Sequence, residues 1–75
     1  MTEHVRTCHA LRGMTKSELY EVFDELPMDA TDQQIMDMRY VRRMRFGDIG
    51  EAVHLSEDAV KRRHARMIAD VGREA

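Results

Sequence analysis

The sequence predicts an all-α fold, a small bundle of four to five helices with a C-terminal helix-turn-helix. Three observations lead there. The chain is 75 residues long, 43% hydrophobic and 35% charged, so it is too apolar for a disordered segment and too short for two cores. Aromatic residues make up only 5%, with four Gly and one Pro, which leaves too few ring and turn residues for a many-stranded β protein. Finally, the apolar residues recur every three or four positions, the period of helices with one buried face.

A first helix is expected over Thr2–Arg12, with Val5, Cys8 and Leu11 on one face and Gly13 as its stop. Thr15 followed by Glu18 reads as a capping box and opens a second helix. Its stripe is Leu19, Val22, Phe23 and Leu26, and Pro27 ends it. Asp29 or Thr31 can cap a third helix running to about Met44. Ile35, Met38 and Val41 are expected to face inward, with Tyr40 and Met44 at the margins. Phe46, Ile49 and Val53 mark a short fourth helix, and His54-Leu55-Ser56 a break. Ser56 is then the N-cap of a last helix, and Glu57 and Asp58 in its first turn suit the helix dipole. That helix carries Val60, His64, Met67 and Val71 on one face, with Gly72 as the expected stop. The chain reads as one domain (1–75), with N-terminal helices over 1–27 and the helix-turn-helix over 28–75.

A chain this short buries only about 60% of the surface its unfolded form exposes, so its stability is marginal. The single cysteine excludes an internal disulfide. No stretch reads as a signal peptide or a membrane span, so the expected location is cytoplasmic, without membrane contact. The net charge of −2 hides an asymmetry. Met1 to Met38 holds three basic residues and eight acidic ones, whereas Arg39 to Ala75 holds nine basic and six acidic. The basic residues cluster at Arg39, Arg42, Arg43 and Arg45, and again at Lys61, Arg62, Arg63 and Arg66. Such a local basic face can meet phosphate, although a solvated helix face has the same composition.

Two helices three residues apart, with Leu55 in the turn and a basic second helix, make a helix-turn-helix pattern. Gly50 and Ala52 are small enough for close approach of the two helices. Ile49, Val53, Leu55 and Val60 would form their shared core, leaving the second helix to project into a DNA major groove.

The stretch Met38–Met67 resembles region four of bacterial sigma factors, the helix-turn-helix domain that reads the upstream promoter element. The residues that carry the likeness are Met38-Arg39-Tyr40, Phe46, Asp48-Ile49-Gly50-Glu51, Leu55-Ser56 and Ala59-Val60-Lys61-Arg62-Arg63. LuxR-type regulators share much of the pattern but carry histidine where this chain has Arg63. His54 stands where the sigma family has a turn glycine, a site that wants left-handed backbone. His64 stands where the family has a core leucine. Nothing resembles the sigma domain that melts promoters, so the resemblance implies a free-standing sigma-like regulator of the kind that phages and mobile elements encode.

The resemblance places Ser56, Glu57, Asp58, Lys61 and Arg62 at the DNA-facing start of the recognition helix, with Arg66 one turn on. Lys61 and Arg62 would reach guanine edges or phosphate, and Glu57 or Asp58 would accept from cytosine N4. Arg42, Arg43 and Arg45 would flank the groove and hold phosphates, fixing register. The implied function is a DNA-binding transcriptional regulator of double-stranded DNA. The alternative, favoured by the acidic first half, is a sigma-like adaptor that docks on RNA polymerase or another protein without essential DNA contact. A phage packaging or recombination accessory is a third reading. One small module buries only about 600–1,000 Å² on DNA, which favours a homodimer or larger complex, and Thr2–Leu26 is the candidate docking piece.

Other chemistry is sparse. His4 and Cys8 lie one helical turn apart, but a closed zinc site needs four ligands and neither His54 nor His64 has ligand spacing. Cys8 has no orienting base, since His9 lies about 100° around the helix. There is no glycine-rich phosphate loop, so no enzyme, cofactor or metal is expected. The seven methionines fit core filling better than a partner surface.

Overall fold

A computed structural model describes residues 3–74. They form α1 (Glu3–Arg12), α2 (Lys16–Asp24), α3 (Ala30–Met36) running on into a π-helical segment (Asp37–Val41), α4 (Phe46–Val53) and α5 (Glu57–Glu74). The described residues contain no strand. No helix among them is long and apolar enough to cross a membrane.

The helix starts follow local chemistry. The Thr15 hydroxyl accepts from the Glu18 N–H at 3.2 Å and the Glu18 carboxylate accepts from the Thr15 N–H at 3.0 Å, closing the expected capping box. Asp29, not Thr31, caps α3, its Oδ1 accepting the Asp32 N–H at 2.8 Å. Ser56 Oγ accepts the Ala59 N–H at 3.1 Å and so caps α5. Each side chain satisfies a donor that the helix itself leaves unpaired.

The expected start of α1 at Thr2 lies outside the described residues, and two other expectations about helix extent need correction. Helix three stops being α-helical at Met36, because its next turn widens: the Arg42 N–H bonds the Asp37 carbonyl at 3.1 Å and the Met44 N–H the Met38 carbonyl at 2.9 Å. A π turn holds one residue more than an α turn, so the inward face moves to Ile35, Met36 and Tyr40, while Met38 and Val41 are half-buried. The last helix also passes through Gly72 to Glu74, since Gly72 keeps helical rather than left-handed backbone and the buried Val71 holds that turn to the core.

One core joins all five helices. Leu11, Leu19, Phe23 and Leu26 from the first half pack with Ile35, Met36, Tyr40, Ile49, Val60, Met67, Ile68 and Val71. Leu11, Leu19, Phe23 and Leu26 of the first half are thus buried inside the chain, and the exposed large hydrophobics among the described residues are Val5 and Tyr20. Ile68, absent from the expected face of α5, is fully buried where α1 packs on α5.

The connection from α4 to α5 is tight. His54 adopts left-handed backbone (φ 60°, ψ 41°), and the N–H groups of His54 and Leu55 both bond the Gly50 carbonyl. A Cβ on Gly50 would sit 2.6 Å from the Leu55 carbonyl oxygen, so this position needs glycine. Ala52, expected to share the close approach, is exposed instead. Ile49 and Val60 are fully buried between the two helices, with Val53 and Leu55 packed at their edge.

Candidate nucleic-acid interface

At 100° per residue, Asp58, Arg62, Ala65, Ala69 and Arg73 fall on the side of α5 opposite Val60, His64, Met67 and Val71. All five are exposed. The two alanines keep the middle of this face low, so the charged side chains stand above it.

The arginines that the sequence groups together have different fates. Arg63 Nη1 donates to Asp32 Oδ1 at 3.0 Å and lies 3.5 Å from Asp29 Oδ2. Arg66 pairs with the other Asp32 oxygen. The Asp32 side chain is only 3% exposed, and the two guanidiniums supply partners for both of its oxygens. Asp29 is held below the usual carboxylate range, mainly by the Asp32 N–H that it accepts and further by Arg63. Arg66, expected one turn along a DNA-facing row, therefore commits part of its guanidinium to α3. Arg42 likewise pairs with Asp37 at 3.4 Å, and that carboxylate also accepts the Tyr20 hydroxyl at 2.8 Å.

Other predicted residues remain open to solvent. Arg43, Arg45 and Arg62 are exposed and form no ion pair among the described residues. Lys61 makes only an exposed pair with Glu57 at 3.6 Å, the kind worth well under about 1 kcal/mol. Ser56 Oγ is occupied as a cap acceptor, and Asp58 is exposed in the first turn of α5. A shallow depression of about 430 Å³ lies beside this turn, with Leu55 and Ala59 as its apolar part and Arg62, Arg63 and Arg66 around it.

The loop carrying Arg42–Arg45 is itself braced. Arg39 Nη1 donates to the Met44 carbonyl at 2.9 Å, and its guanidinium lies 4.1 Å over the Phe46 ring. Arg43 has left-handed backbone (φ 58°), uncommon for a residue with a side chain, and this reverses the chain into α4.

Beneath the loop sits a buried polar node that sequence reasoning did not find. The Tyr40 hydroxyl is 2.6 Å from His64 Nε2 and 3.5 Å from Cys8 Sγ. The His64 ring also packs edge-on against Phe46, with centroids 4.9 Å apart. Burial, followed by the positive charges of Arg39, His4 and Arg12, lowers the His64 pKa to about 4. The imidazole is therefore neutral, and its Nε2 and the Tyr40 hydroxyl share a hydrogen bond. Burial and the contact with Cys8 push the Tyr40 hydroxyl upward.

Asp32 was also missed. Two residues into a helix it reads as an ordinary first-turn acid, and its partners lie 31 and 34 positions away. Comparison with protein-family models, curated proteins and solved structures returns no match to this chain.

Proposed function

We propose that the chain is a DNA-binding transcriptional regulator in which α4, the turn and α5 act as a helix-turn-helix and α5 lies in the major groove. The observation that carries the reading is the uncovered outer face of α5, small at Ala65 and Ala69 and basic at Arg62, with Lys61 exposed on its flank, behind a three-residue turn closed on Gly50. Groove insertion needs a helix with one long solvent-facing side and cations near its N-terminal half, and α5 carries Lys61 and Arg62 in its second turn. In this reading Lys61 and Arg62 reach base edges, while Arg43 and Arg45 hold flanking phosphates. Arg66 and Arg42 contribute less than their position in the sequence implies, because each already holds a carboxylate.

A second reading has its own support. Glu18, Glu21, Asp24 and Glu25 are all exposed on or just after α2, giving an acidic face suited to a basic protein surface such as a polymerase subunit. Fluorescence anisotropy with duplex DNA at several salt concentrations separates the two. A DNA-binding protein gives log affinity that falls linearly with log salt. Absence of duplex binding at low salt favours the adaptor.

A further inference from the structure

Cations without counter-ions gather at a second place, the cleft where α1, the π-helical segment and α5 meet. Arg12, Arg39, Tyr40 and Arg43 line a cavity of about 180 Å³. Arg12 and Arg39 also border an adjoining cleft of about 420 Å³, which has Phe46, His64 and Lys61 in its wall. Among the described residues no Asp or Glu lines either cavity, although the chain holds more acidic than basic residues.

Arg12 and Arg43 form no ion pair among the described residues, and Arg39 is fixed by a carbonyl and a ring rather than by a carboxylate. Like charges so placed repel one another, and an anion among them converts the repulsion to attraction. Guanidiniums and a phenol hydroxyl are donors suited to a phosphate, and Arg39 is already held in position. The left-handed backbone at Arg43 is local strain at the mouth of the same cavity. The His64 pKa is lowered mainly by burial, and the positive charges of Arg39, His4 and Arg12 add to that. Beyond that cavity the half-buried Phe46 borders the adjoining cleft and is the aromatic side chain there that a flat body could meet.

We propose that this cleft binds the phosphate of a small molecule that carries a planar ring, a nucleoside monophosphate in chemical class. Arg12, Arg39 and Arg43 would surround the phosphate, with the ring against Phe46. The cleft shares Arg43 and Lys61 with the residues assigned to DNA, but nucleotide binding there does not require a duplex.

The test is a titration of the full chain with adenosine monophosphate, with inorganic phosphate, and with sodium chloride at matched ionic strength, followed by NMR at His64 and the arginine side chains. The expected result is saturable binding, tighter for the nucleotide than for phosphate, with the His64 pKa rising in the bound state. Arg12→Gln and Arg43→Gln should each weaken nucleotide binding about tenfold. Arg6→Gln, an equal charge change elsewhere on α1, should leave it unchanged. The proposal is overturned if the shifts merely follow ionic strength, or if Arg6→Gln weakens binding as much as Arg12→Gln. It also falls if a DNA duplex moves these signals while the nucleotide and phosphate do not. In that case the cleft holds a backbone phosphate, and the DNA-binding reading stands without it.

Discussion

On the flank of α5 that faces α3, Arg63 and Arg66 are tied to Asp29 and Asp32. On the flank that faces α1, Arg12, Arg39 and Arg43 gather with no carboxylate among them. The residue type is the same, but the placement of acids on neighbouring helices gives it different work. Beside α3 the arginines pair with a buried aspartate and clamp two helices together. Beside α1, and on the outer face at Arg62, the charge remains available to an outside anion.

The largest expected effect comes from the uncompensated flank. His64 has a folded pKa of about 4 against an ordinary value of 6.5, so above pH 6.5 both folded and unfolded chains hold it neutral. As the pH falls from 6.5 toward 4 the unfolded chain takes up the proton first. Stability therefore declines, by about 3 kcal/mol by pH 4. Urea unfolding at pH 7 and pH 4.5 measures the decline, and a His64→Leu variant should lose this component. An identical pH profile in the variant would show that His64 is not the titrating group.

Next in size is the acid clasp. Asp32→Ala leaves Arg63 and Arg66 without their buried partner and should cost about 2 kcal/mol, the low end for such a loss because both guanidiniums can rehydrate. The readout is a lower midpoint in thermal unfolding followed by circular dichroism. No change would mean that the clasp contributes nothing net.

Substituting the arginines one at a time sharpens the contrast. Arg63→Ala should lower the unfolding midpoint, by less than Asp32→Ala does, whereas Arg62→Ala should stay within about 0.5 kcal/mol of the parent. On duplex DNA the order reverses, Arg62→Ala weakening affinity more than Arg63→Ala. The smallest effect is on the salt slope, which should fall by roughly one unit for each phosphate-binding charge removed at Arg43 or Arg45.

Features set by neighbours in the chain were legible in the sequence. Thr15 with Glu18, Asp29 and Ser56 cap the helices they precede, and His54 takes the left-handed backbone expected of the turn residue after α4. Features set by distant partners were not. The widened turn at Asp37–Val41 adds one residue to the helical period, so a strict three-to-four spacing put Met38 and Val41 inward where Tyr40 belongs. Tyr40 fits there because His64, 24 positions on, supplies a partner for its hydroxyl. Of the predicted site, the open faces of Lys61, Arg62, Arg43 and Arg45 agree with the spacing. The engagement of Arg66 with Asp32 and of Arg42 with Asp37 depends on helix packing that no local pattern records.

The most direct test of the DNA-binding reading is to map a bound duplex onto the chain by NMR at low salt. The account predicts shifts concentrated at Asp58, Lys61, Arg62, Ala65 and the Arg43–Arg45 loop, all abolished in a Lys61→Ala, Arg62→Ala double variant that still unfolds like the parent. Shifts confined to α2, or a double variant that binds as tightly as the parent, would contradict it.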